Sequence, residues 1–191
     1  MLPAKTDILR NSLILFLTGL PECNGMLYFG KGITSMRQLK SEQEIKEFNA
    51  VLEPYLSHPK IREMDQYNAH GSVSVLEHSM NVAAMAYRLD RLFGKKADLE
   101  VLLPGALLHD FYLYDWHDKP LSIRIFRMHG YTHPSEACRN AAEIFQEDEK
   151  TQEVIRCHMW PLTLRSIPRH REAILVCIAD KLCALTETLK R

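Results

Sequence analysis

From residue 41 onward, apolar residues recur at helical spacing, and the two-residue alternation of half-buried strands is nearly absent. The run VSVLEHSMNVAAMAYRLDRLFG is the clearest case. Val75, Val82, Tyr87 and Leu89 fall among its apolar positions, Ser72 or Ser74 offers a cap, and Gly94 a stop. Ser41 and Glu44 read as a capping box ahead of EIKEFNAVLEPYL, and Pro59 suits the first turn of PKIREMDQY. Asp98 opens DLEVLLPGALLHD, where Pro104 is expected to kink the helix or split off its first turn. Pro134 opens PSEACRNAAEIFQ, EKTQEVIRCHMW ends before Pro161, and Pro168 begins the last long helix. Only GMLYFGKGIT, residues 25–34, suggests a short hairpin. The expected fold is all-α, a compact bundle of roughly six to eight helices. Residues 1–54 would form a helical extension or cap and residues 55–191 the main domain, together one compact unit.

Charge and cysteine usage narrow the partners. The 24 basic residues balance the 24 acidic ones, so there is no electrostatic footprint for a nucleic acid polymer. A few local cations suffice for a small phosphorylated ligand. The five cysteines are odd in number and form no CxxC pair. That argues against a disulfide framework and a Cys-rich zinc site, and for reduced thiols in the cytoplasm. The apolar run at residues 13–17 is short and lacks a small-x-small cleavage site, which favours a docked helix over a signal peptide. Nothing approaches the roughly 18 apolar residues that span a bilayer, so no membrane partner is expected. Oligomeric state is open, a homo-oligomer included.

The polar interruptions of the apolar helices carry the functional signal. His78 lies on the inward face of its helix, His109 and Asp110 end the apolar run LLPGALL, and Asp180 interrupts ILVCIADKLCAL. Buried imidazoles and carboxylates are costly unless paired or metal-bound. Several converging inward favour a shared partner, most simply a divalent transition-metal ion such as iron, manganese, zinc or nickel. His133 in THPSEAC and His158 in IRCHMWP extend the candidate ligands to six: His78, His109, Asp110, His133, His158 and Asp180. Six exceed what one open catalytic ion takes, whereas two ions bridged by a carboxylate, about 3.5–4 Å apart, use them naturally. The second His-Asp doublet, His117-Asp118, lies about 12 Å further along an unbroken helix, too far to join the same ion. Of the aromatics between the doublets, Phe111 and Tyr112 read as core, and Tyr114 and Trp116 as candidates to meet a substrate.

The order H…HD…H…H…D resembles the HD superfamily of metal-dependent phosphohydrolases over roughly residues 55–190. LEHSMNVA is similar to the family's first-ligand helix, GALLHD to its doublet, and the Asp of IADK to its last ligand. The extra histidines in HPSEA and RCHMWP resemble those of two-metal members, the HD-GYP type included, though the GYP signature is missing. The resemblance implies Asp110 as the bridging, catalytic carboxylate. It implies one or two divalent cations and a metal-activated hydroxide attacking a small phosphoester, nucleotide or sugar-phosphate in kind. Lys181, Arg127 and Arg124 are candidate phosphate contacts, with Lys181 also catalytic, and His70 is a candidate for the pocket mouth. His129 is open as a ligand in place of His133, a proton donor to the leaving group, or a loop residue. His58 and His170 are expected to be solvated. Two other readings share the ligand set. One is a diiron HD-type oxygenase cleaving a carbon–carbon or carbon–phosphorus bond with dioxygen, the other a non-catalytic small-ligand-binding module.

Overall fold

A computed structural model describes residues 41–70, 72–114 and 129–189. The order is α1 (Glu42–Leu56), α2 (Pro59–Glu63), a 3-10 turn (Met64–Gln66), strands β1 (Asn68–His70) and β2 (Val73–Ser74), then α3 (Val75–Leu92) and α4 (Leu99–Leu108). After these come α5 (His129–Phe145), α6 (Glu149–Cys157) and α7 (Arg171–Leu189). The all-α expectation holds, with seven α-helices among the described residues.

The most apolar helix is the central one. Every residue of α4 from Val101 to Leu108 is buried, the state of a helix without a polar face. Helices α1, α3, α5, α6 and α7 all pack against it. Phe48, Val51 and Leu52 of α1 join the same core, where Phe48 meets Tyr87 edge-on at 5.8 Å. Several helix starts have a local cause. Ser41, Asp98 and Asp148 accept from the backbone N–H of Glu44, Glu100 and Thr151. Between the two candidate caps of α3, Ser74 is the one used, its Oγ accepting from Glu77 N at 3.1 Å.

Four expectations shift. An antiparallel hairpin forms at β1 and β2, where Asn68 faces Ser74, whereas residues 25–34 lie outside the described residues. Two- and three-residue strands are too short to show alternation in sequence. Pro104 does not divide α4, because the helix is enclosed on all sides by its neighbours. Pro134 does not open α5, which is already helical at His129. That earlier turn packs closely at Gly130, where a Cβ would meet Leu162 Cδ2 at 2.9 Å and Met159 Cε at 3.2 Å. Helix α7 starts three residues beyond Pro168, at Arg171, whose guanidinium is held by Asp90 at 2.9 Å.

Candidate metal centre

Five helices deliver the six predicted residues to one buried cluster. His78 comes from the second turn of α3, His109 and Asp110 from the end of α4, His133 from α5, His158 from the end of α6, and Asp180 from the middle of α7. All are buried, His78 and His109 completely. The donor atoms of His78, His109 and Asp110 lie within 4.8 Å of one another, as do those of Asp110, His133 and His158. Asp110 belongs to both groups and turns one oxygen to each. Its Oδ2 is 3.5 Å from His109 Nε2, and its Oδ1 is 3.2 Å from His133 Nε2 and 3.6 Å from His158 Nε2. Asp180 Oδ1 adds a second carboxylate on the first side, 3.3 Å from His78 Nε2 and 3.8 Å from His109 Nε2.

Two histidines are aimed by the same local device. His109 and His158 each cap a helix C-terminus, and each Nδ1 donates 2.7 Å to the carbonyl three residues back, Ala106 O and Ile155 O. A carbonyl only accepts, so Nδ1 carries the proton and, in the neutral ring, Nε2 presents a lone pair to the cluster. The bond also satisfies one of the carbonyls that a helix end leaves orphaned. Both C-termini direct partial negative charge at the cluster, which favours a cation there.

The clustered groups set one another's charge. Burial drives the His158 pKa down, neighbouring His133 and His109 drive it further, and it falls to about 3, so this ring is neutral. His133 Nε2 and His158 Nε2 are 2.8 Å apart, so His133 is the donor in that contact. Burial raises Asp110, but the charges of His109 and His133 outweigh it and hold the carboxyl well below the usual carboxylate range. Asp180 is likewise held down: burial opposes, and the His78 hydrogen bond and His109 prevail. For His78, burial lowers the pKa, yet the bonds to Asp180 and Glu187 raise it to about 10. Two buried atoms at the heart of the cluster have no hydrogen-bond partner, His109 Nε2 and Asp110 Oδ1. Unsatisfied buried polar atoms cost about 1–3 kcal/mol each. A cation between the donors would satisfy both, and imidazole nitrogen with carboxylate oxygen suits a divalent transition metal.

The HD domain family model matches residues 75–185, more than half of the chain, and that span contains all six of these residues. The chain belongs to the HD domain family. No curated protein and no solved structure matches it. HD domains are generally those of metal-dependent hydrolases, and this one has His/Asp groups placed for a metal. No helix among its described residues is long and apolar enough to cross a membrane.

Other predicted residues fare differently. Lys181 lies beside the HD cluster, but its Nζ donates to His158 O at 2.8 Å and Cys177 O at 3.2 Å. Phe111 and Tyr112 are core, while Tyr114 is half-buried, stacks near Tyr112 at 5.0 Å, and bonds Glu136. Arg124, Arg127 and Trp116, the doublet His117-Asp118, and the side chains of His70 and His129 lie outside the described residues. His58 and His170 are not simply solvated: His58 caps α2, accepting from Lys60 N at 3.2 Å, and His170 contacts Glu172 at 3.1 Å. Sequence reasoning missed Glu187, whose Oε2 is 2.8 Å from His78 Nδ1, and Asn81, which donates to Glu187 Oε1 at 2.9 Å. Spacing carried a signal for Glu187: seven residues after Asp180 is about two helical turns, hence the same face.

Proposed function

We propose that this chain is a metal-dependent phosphohydrolase that cleaves a small phosphoester, a nucleotide or sugar phosphate in kind, and acts on no nucleic acid polymer. The observation that carries the reading is the pair of donor groups sharing Asp110, with unpartnered buried atoms where they join. His78, His109, Asp110 and Asp180 would hold one cation, and Asp110, His133 and His158 the other. Such ions supply charge neutralisation at a phosphoryl oxygen and activation of water toward in-line attack. The protein's part is to fix the donors before substrate arrives. The Nδ1 bonds of His109 and His158 hold their rings in register, and Asp110 keeps its charge despite burial. A low-dielectric surrounding strengthens each of these interactions relative to water.

Lys181 stands beside the cluster, its Nζ donating to His158 O and Cys177 O and lying 3.7 Å from Asp180 Oδ2, and it would turn toward a phosphoryl oxygen only by giving up one of these contacts. Tyr114, half-buried beside Tyr112, would meet the non-phosphate part of a substrate. The test is chelator-stripped protein reloaded separately with iron, manganese, zinc or nickel, assayed by elemental analysis and a phosphoester panel. One or two ions per chain and phosphate release only from loaded protein are expected. Two irons with a mixed-valence paramagnetic signal and no phosphoester turned over would instead assign the diiron oxygenase chemistry that the same donors suit.

A further inference from the structure

The last turns of α7 hold a buried acid, Glu187, turned toward α3. Glu187 sits close to the C-terminus of that helix, where the dipole disfavours negative charge, and its side chain is only 7% exposed. Burial and dipole both oppose a carboxylate here, and Ala or Leu would suit the position better by propensity. Both oxygens are nevertheless engaged by one face of α3. Oε1 accepts from Asn81 Nδ2 at 2.9 Å, and Oε2 faces His78 Nδ1 at 2.8 Å. Asn81 is three residues after His78, so the two donors stand together on that helix. The opposite nitrogen of His78, Nε2, points at Asp180 Oδ1 from 3.3 Å.

Two of the other clustered histidines are held differently. His109 and His158 give their Nδ1 proton to neutral backbone carbonyls, whereas His78 gives it to a carboxylate. A carboxylate on the outer nitrogen fixes the tautomer and makes the inner nitrogen a stronger donor to a metal. The first donor group also has Asp180 in addition to the shared Asp110, whereas the second has Asp110 alone.

We propose that Glu187 is a positioning residue for metal uptake: through His78 it makes the cation site on His78, His109, Asp110 and Asp180 the tighter of the two. This rests on the reading that the cluster binds cations. Full-length protein, stripped by chelator and titrated with cobalt(II), is expected to fill in two steps seen in the visible absorption. His158→Ala should abolish the weaker step and so identify the stronger one with His78. Glu187→Gln preserves size and hydrogen-bonding reach, and should weaken the tight step about 10- to 100-fold while leaving the weak step unchanged. Glu187→Asp, which keeps the charge but shortens the reach, should recover part of that loss. A merely structural role for Glu187 would lower thermal stability and weaken both steps together. Unchanged affinity of the tight step in Glu187→Gln, or equal weakening of both, overturns the inference alone. Failure of the wild-type protein to take up cobalt overturns the phosphohydrolase reading with it.

Discussion

His109 and His158 reach the cluster by one construction used twice. Each ends a helix, donates Nδ1 to the carbonyl three residues back, and directs Nε2 inward. Between them lies Asp110, with an oxygen for each side. That geometry makes the consequences of substitution asymmetric. Asp110→Ala removes a donor from both groups and is expected to lose most bound metal and all activity; elemental analysis that still finds two ions would refute the bridging role. His158→Ala should lose one ion and keep the other, because the first group does not contain it. His78, His109, Asp110 and Asp180 were legible in the sequence because each interrupts an apolar helical face or ends an apolar run, where an unpaired polar group is costly, and His133 and His158 were added by their resemblance to the family pattern. Glu187 and Asn81 were not legible. Glu187 sits on the mixed, partly exposed stretch ALTETLK, where an acid looks like any solvated side chain, and Asn81 is a lone amide amid the apolar run of α3. Only the packing of α7 against α3 reveals their target.

The distance between the two capping histidines is set one turn earlier. Gly105 precedes His109 by four residues, and Val154 precedes His158 by four, so the contact between them lies beneath the cluster. A Cβ on Gly105 would come within 2.6 Å of Val154 Cγ1 and 2.9 Å of its Cβ, so helices α4 and α6 meet almost backbone to side chain. Ala is favoured over Gly in a helix by about 1 kcal/mol. Here overpacking, typically about 1–3 kcal/mol, opposes that gain and should win. Gly105→Ala is therefore expected to lower the urea midpoint and to weaken metal binding by spreading His109 from His158. In a Val154→Ala background the same change should be neutral or stabilising, since the clash is gone; equal destabilisation in both backgrounds would refute the contact as the cause. Most helices were readable from caps and spacing, as at Ser41, Asp98 and Gly94. The starts of α5 and α7 were misread by a few residues because proline position alone does not mark a helix start, and both first turns carry tertiary contacts, at Gly130 and Arg171, that the sequence does not display.

At the opposite end of α7 from Glu187, a second buried carboxylate ties the bundle together. Glu172 Oε1 accepts from Asp98 N at 2.8 Å and lies 3.3 Å from Lys150 Nζ, while Oε2 is 3.1 Å from His170 Nδ1. One side chain thus joins the starts of α4, α6 and α7, and the nearby Asp90–Arg171 pair adds the end of α3. It also stands in the first turn of α7, where the dipole favours negative charge. Burial raises its pKa, but the Asp98 and Glu172 backbone N–H groups and the Lys150 charge outweigh it, and the carboxyl is held below its ordinary value. A carboxylate depressed in the folded state stabilises fully above its unfolded pKa of about 4.3, and that contribution fades as pH falls through the lower folded value. Glu172→Gln keeps the shape and removes the charge. Its urea midpoint should fall below wild type from about pH 7 down to about pH 5, and the margin should close at lower pH as acid protonates the wild-type carboxylate. A margin that persists unchanged through acid would mean that the lost stability came from packing, and that the helix starts are not held together by this charge.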